Sequence, residues 1–297
     1  MKKIAAITML RDDEDFLRKW ISWYGAQLGC ENLYIFMDGK DQRIPDFCER
    51  VRVEVVDRIE GNVQQGDKGR IAFLSEVARH LFTDGTPHGN SVGAAPYDMV
   101  IGTDVDEFLV PDPARGQSLG EFLEEAAESA RVSISGLGVD VGQKLGEESP
   151  LDFARPLLAQ RSYAKLSTRY SKASVLLRPG SEGQCPRWGS GFHRVRGHNF
   201  HIVKDLYLFH FGSADENRIR QRMEKTDLLS KGWGRHFHKR MKTITLVSRQ
   251  KALDWERTIP LARHIQNCIR PPYAWNKPAM FNLRIVVRIP EKFDAIL

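Results

Sequence analysis

The sequence predicts an α/β protein whose mixed, mostly parallel sheet is flanked by helices, with a C-terminal helical extension. Three observations carry this. Through the first half, short apolar runs alternate with stretches of helical period, the pattern of parallel strands joined by crossover helices. Asp12, Asp38 and Asp104 each follow one of those runs, and ligands of such sheets bind at the carboxyl ends of strands. Past residue 215 the chain turns helical, then basic, aromatic and punctuated by proline.

Residues 4–9 form the first predicted strand. The two lysines before it imitate a secretory leader, but the apolar run stops at Leu10 and RDDE follows without a small-residue cleavage site. Asp12 or Asp13 caps a helix whose stripe is Phe16, Leu17, Trp20, Ile21, Tyr24 and Leu28, and Gly29 ends it. Residues 33–37 make a second strand, running into a turn at Asp38 and Gly39. Val51, Val53 and Val55 alternate with Arg52 and Glu54, a third strand exposed on one face. Residues 69–82 read as a helix with Ile71, Leu74, Ala78 and Leu81 inward, and 98–103 as a buried strand. Ser118 and Glu121 form a capping box for a helix through residue 130, with a strand at 132–139. Further strands are predicted at 174–177 and 206–211, a loop at 178–191 and a helix at 216–230. No repeat or low-complexity linker divides the chain, so 1–215 read as one domain and 216–297 as an extension packed on it.

A chain of 297 residues can bury a sizeable core, and no stretch is long and apolar enough to span a bilayer. The four cysteines are scattered without a C-x-x-C pair, which argues against a zinc ribbon or disulfide framework and fits a reducing cytoplasm. A net charge of +6 and a pI near 9.1 point to an anionic partner: nucleotide, nucleic acid, phospholipid surface or acidic glycan. The bases gather at 155–178 and 218–257.

The stretch YDMVIGTDVDEFLVPDP holds the central candidates. Asp104 and Asp106, two positions apart after an apolar strand, can aim at one hard cation such as Mg²⁺ or Mn²⁺. The alternative is an acidic strand-end turn, with Glu107 behind the site or facing solvent. His210, inside the apolar YLFHF, is either a hydrogen-bonded core histidine or a ligand beside Asp106; His193, His198 and His201 are other choices. His236 and His238 read as a basic surface or a diphosphate-facing loop. Asp12, Glu14 and Asp38 can accept from a base or ribose, or simply cap a helix and close a turn. Arg70 and Lys68, at a predicted helix N-terminus, can meet a phosphate, as can Arg161, Arg169 and Lys172 from the second half.

Two segments carry a resemblance. LRDDEDFLRKWISWYGAQLGCENLYIFMDGKDQ and the D-x-D-E-F block resemble the family 2-like glycosyltransferases, with GFHRV and LYLFHFGS similar to their later histidine segments. The likeness covers roughly residues 1–225. It implies a GT-A, Rossmann-like fold, a nucleotide-diphosphate sugar donor, a divalent cation (Mn²⁺ or Mg²⁺) and a glycan or lipid-linked acceptor hydroxyl, in glycan or polysaccharide synthesis. Peripheral membrane contact is compatible with it, and nucleic acid is not an expected partner. Carried over, Asp12 and Asp38 touch the nucleotide; Arg70 and Lys172, the phosphate contacts read above from charge and position, join them in the expected nucleotide-sugar site. Asp104 lies at the ribose or the metal, Asp106 on the metal, and His210 completes the metal sphere. Inverting members need a carboxylate base, for which this chain offers Asp140 or Glu148. It departs from the family where Arg11, Asp12 and Asp13 replace K-N-E, and where Gly136 to Asp140 replace a W-x-x-F-G-like block.

One rival is a haloacid-dehalogenase-like phosphatase with Asp104 as nucleophile, though that class wants its D-x-D at the first strand. Another is a non-catalytic nucleic-acid or anion binder that stacks bases on Trp233, Phe237 and Trp255. A third binds nucleotide sugar without catalysis.

Overall fold

The computed structural model describes residues 2–89, 94–180, 184–198, 200–269, 282 and 284–297. Strand β1 (Ile4–Leu10) is buried along its whole length, as a central strand covered by helices on both faces must be. It pairs in parallel with β2 (Leu33–Asp38) on one side and β4 (Met99–Gly102) on the other, and β3 (Arg52–Val56) extends the parallel set as an edge. The crossovers are helical. In α1 (Glu14–Leu28) Phe16, Leu17, Trp20 and Tyr24 are buried, and Gly29 ends the helix at φ +86°, in the region glycine tolerates best. Asp13 stands at the N-cap but makes no side-chain cap hydrogen bond, because Arg218 and Arg222 hold its carboxylate.

Helix α2 (Val63–Thr83) begins at Val63 rather than at residue 69, because Asn62 and Gln65 form a capping box. Polar residues and two glycines fill its first turns, so apolar period could not reveal them. Arg70 is therefore inside the helix, and the expectation that it works with the dipole of an N-terminus is corrected.

The second half completes the sheet in mixed orientation. It supplies β5 (Glu107–Pro111), α3 (Leu119–Ser129), β6 (Ser133–Gly142), β7 (Tyr163–Leu166), β8 (Val175–Leu177) and β9 (Ile202–Ser213). Ser118 and Glu121 form the predicted capping box of α3. β8 lies antiparallel between β4 and β6, linking the parallel half to the rest. β6 runs parallel to β9, and β9 antiparallel to β5. Of the predicted loop at 178–191, residues 181–183 lie outside the described residues.

The helix predicted at 216–230 is broken at Glu224 and Lys225 into α4 (Glu216–Met223) and α5 (Thr226–Ser230). Two more helices follow, α6 (Gly234–Arg249) and α7 (Trp255–Cys268), and then β10 (Val286–Arg288), which pairs with β7. Trp255, Ile259, Val287 and Phe293 share one continuous core with β1 and β4. Trp255 and Phe293 close on Tyr207 and Phe209 of β9, with centroids 5.1–6.3 Å apart. The α/β class with helices flanking a parallel centre is as the sequence predicts.

Candidate active site

Strand register assembles the site. Glu107 of β5 and Asp140 of β6 are both direct partners of His210 on β9, and Lys165 of β7 is the partner of Asp140. Directly paired residues point to the same face of a sheet, so four ionisable side chains form one cross-strand row. The row is tied together. His210 Nδ1 lies 2.7 Å from Asp140 Oδ1, and Thr243 of α6 donates to the other Asp140 oxygen at 3.1 Å. This network assigns the ring proton to Nδ1 and leaves the Nε2 lone pair free. Tyr170 stacks on the imidazole, with centroids 3.6 Å apart and planes 15° from parallel. His210 Nε2 faces Asp106 Oδ2 at 3.6 Å, and Arg240 of α6 approaches the same oxygen at 3.4 Å.

The end of β4 is pinned from two sides. Thr8 of β1 donates to the Thr103 carbonyl, and the Trp20 indole of α1 donates to the Thr103 hydroxyl, both at 2.9 Å. The chain then turns, with Glu107 N donating to the Asp104 carbonyl at 3.0 Å. Asp104 is clasped by Arg70 on one oxygen and by Lys172 on the other at 2.9 Å, and Lys172 also pairs with Glu107 at 2.6 Å. Burial pushes the Asp104 carboxyl up, but Arg70 and Lys172 outweigh it and hold the group well below the usual carboxylate range. Burial pushes Glu107 up to about 7 against the pull of Lys172. Glu107 does not face solvent; it is fully buried.

Asp12 and Asp38 stand where the sequence places them, at the carboxyl ends of β1 and β2. Asp12 adopts φ +53°, a conformation that aspartate tolerates better than most residues, and accepts from Gln42 Nε2 at 3.0 Å. Asp38 accepts from the Ile59 amide at 2.7 Å, with Arg58 at 3.7 Å. Both therefore have protein partners. Glu148 belongs to different surroundings: it accepts from the Lys144 and Ser162 amides at 2.7 Å and lies 4.0 Å from Arg161, knitting the loop after β6. Of the predicted ligands, Asp106 and His210 are brought face to face, while Asp104 turns to its two cations. Among the described residues no group of three or more His, Cys, Asp and Glu side chains is arranged to hold an ion.

Sequence reasoning missed Tyr170, Arg240, Thr243 and the partners of Asp13. One of these carries a signal in retrospect. Phe237, Arg240, Ile244 and Val247 recur at helical spacing, so a helix over the RHFHKR segment turns Arg240 toward the core that Phe237, Ile244 and Val247 occupy. Asp13 is nearly enclosed. Burial pushes its carboxyl up against Arg222 and Arg218, and nearby Asp106 adds to the rise, so α1 brings a further acid to the edge of the site.

An α/β sheet, parallel at its centre, with an ion-paired strand end beside a carboxylate-oriented histidine is the class that fold and site define. No protein-family model matches the chain, and no curated protein sequence does. Among solved structures, the chain is similar to a mannose-1-phosphate geranyltransferase from Thermus thermophilus, at 11% identity and a TM-score of 0.30, over 98% of this chain and 76% of that one. That likeness is too loose to transfer a residue role or an activity.

Proposed function

We propose that this chain is a glycosyltransferase of GT-A type, moving a sugar with inversion from a nucleotide-diphosphate donor to an acceptor hydroxyl. The observation that carries the reading is the Asp140–His210–Asp106 line, with Nδ1 of the histidine committed to a carboxylate 2.7 Å away and Nε2 facing a second one at 3.6 Å. A histidine that binds a metal usually gives its other ring nitrogen to a carboxylate in this way. The Asp106–His210 gap is too long for a good hydrogen bond. It suits two ligands of one cation, which at bond lengths of roughly 2.0–2.2 Å stand about 3–4 Å apart. Mg²⁺ or Mn²⁺ held there would neutralise the leaving diphosphate.

The chain's own groups have defined parts in this reading. Asp12 and Asp38, at neighbouring parallel strand ends, face the nucleoside. Arg70 and Lys172 hold Asp104 rigid at the strand end, beside the place of the diphosphate. Arg240 adds a third cation on the Asp106 side. Asp140 has both oxygens engaged by His210 and Thr243, so it orients His210; as the acceptor's base it would have to release one of these bonds. Thermal shift with UDP-, GDP- and CDP-sugars, with and without Mn²⁺, tests the assignment. The expected result is metal-dependent stabilisation that Asp106→Ala abolishes; stabilisation by none of the nucleotides, or one indifferent to both changes, overturns it.

A further inference from the structure

Beside Asp140, Tyr170 and Arg240 lies a cavity of about 1030 Å³, walled by residues 165–170 and one face of α6. Its volume is at the top of the roughly 300–1,000 Å³ range of small-molecule sites. Asp140 is the only acid among its described lining residues. Against it stand Arg169, Lys239, Lys242, Arg249 and Arg284, all exposed.

The two sets of cations around the site differ in kind. Arg70 and Lys172 are neutralised by Asp67, Asp104 and Glu107. Arg169, Lys239, Lys242, Arg249 and Arg284 have no carboxylate within ion-pair distance among the described residues. They crowd one another instead: the Arg169 guanidinium, ahead of burial, pulls the Lys239 ammonium below its ordinary pKa. Lys239, Lys242, Leu246 and Arg249 recur at three- and four-residue spacing, so α6 presents its charges to the cavity as one stripe. Uncompensated like charge around a concavity costs stability, and an anion in the cavity removes the cost.

We infer that this cavity seats the acceptor, and that the acceptor is a glycan bearing negative charge, as carboxylate or phosphate. The inference rests on the sugar-transfer reading and adds the acceptor's chemical class. The donor's nucleoside belongs at Asp12 and Asp38, on the parallel strand ends. The cavity is lined instead by Asp140, Tyr170 and Arg240, and by neither Asp12 nor Asp38, so it gives an acceptor hydroxyl its own entry to the reacting centre. A cavity of this volume suits a few sugar units better than a nucleic-acid strand.

The test is calorimetric titration of the full chain with trigalacturonate and with neutral maltotriose, at low and high salt, alongside thermal shift with UDP. Lys239 and Lys242 are exposed, so K239E/K242E leaves the fold in place. The acidic trisaccharide is expected to bind in a salt-sensitive way and the neutral one not. K239E/K242E is expected to weaken the acidic probe by about tenfold or more, as loss of close charge pairs does, without moving the nucleotide shift. Equal binding of both trisaccharides, or an unchanged affinity in K239E/K242E, overturns the inference. So does a parallel loss of nucleotide binding, which would make the cavity the seat of the donor diphosphate. Binding to phosphatidylglycerol vesicles without trigalacturonate binding would assign the charge to a lipid surface and overturn it too. If the unmodified chain binds trigalacturonate but no nucleotide, the sugar-transfer reading fails, while the anionic-glycan site stands.

Discussion

Asp140 and His210 are direct partners across the parallel pair β6–β9, and the carboxylate accepts a hydrogen bond from the histidine's Nδ1 at 2.7 Å. A sheet is a rigid mount, so the imidazole's direction is set by backbone register together with one hydrogen bond. Asp140→Asn keeps the shape but no longer favours the Nδ1–H tautomer. Activity or cation affinity is expected to fall roughly 10–100-fold, the usual effect of losing such a partner, with little change in the unfolding midpoint. Mn²⁺ titration followed by electron paramagnetic resonance, together with kcat/KM, checks this; an unchanged cation affinity would show that Asp140 does not act through His210.

The ion cluster behind the D-x-D turn is a separate matter of stability. Lys172 is buried between Asp104 and Glu107, and removing one member of such a cluster leaves charge unpaired in the interior. Lys172→Met is expected to cost about 3–5 kcal/mol. Adding Glu107→Gln removes one of the stranded charges and should return part of that loss. Urea unfolding of both variants measures it; a single variant as stable as the parent would mean that water already reaches the cluster.

Lower pH acts through His193. Its Nδ1 is fully enclosed without a hydrogen-bond partner, and burial, then Lys172 and Arg169, push its pKa down to about 3. The unfolded chain takes up the proton near the ordinary histidine value of about 6.5. Between those two values the unfolded state binds a proton that the folded state refuses, so stability rises with pH across the window. The contribution is complete above the upper value and is lost as pH falls toward the lower one. Glu107, raised to about 7, works the other way over part of this window, so the readout is a difference: the parent's urea midpoint minus that of His193→Gln should climb with pH, and identical slopes would remove His193 from the account.

The sequence made part of this legible and hid the rest for identifiable reasons. Trp20, Tyr24 and the β1, β2 and β4 runs declared themselves because burial imposes period and apolarity. The strand-end positions of Asp12, Asp38 and Asp104 followed from them. The juxtaposition of His210 with Asp140 depends on the register of β6 against β9, strands seventy residues apart at this pair, and no local pattern encodes such a pairing. The start of α2 was hidden because its first turns carry polar residues and glycine, leaving only the Asn62 and Gln65 cap as a signal. The sequence shows the charge of Lys172 but not its burial between two acids, because spacing says nothing about which cation a distant fold will enclose.

Gly138 shows how closely the site depends on backbone approach. A Cβ at this position in β6 would sit 2.3 Å from the Ser167 carbonyl oxygen and 2.4 Å from the Ser171 nitrogen. Those atoms belong to the turn that carries Tyr170 onto His210, and the turn is bonded to Gly138 itself: Ser167 N donates to its carbonyl at 2.9 Å, and Gly138 N to the Ser171 hydroxyl at 2.9 Å. Both walls are backbone, so a methyl group cannot be accommodated by a side chain swinging aside. Gly138→Ala is therefore expected to cost about 1–3 kcal/mol, as overpacking does, and to displace Tyr170 from the imidazole. Paired variants separate the two effects. Tyr170→Leu removes the stack but leaves the turn intact, so it should lower activity with little loss of stability, whereas Gly138→Ala should lower both. If Gly138→Ala matched the parent in urea unfolding, β6 and the turn would not be in the contact that orients His210.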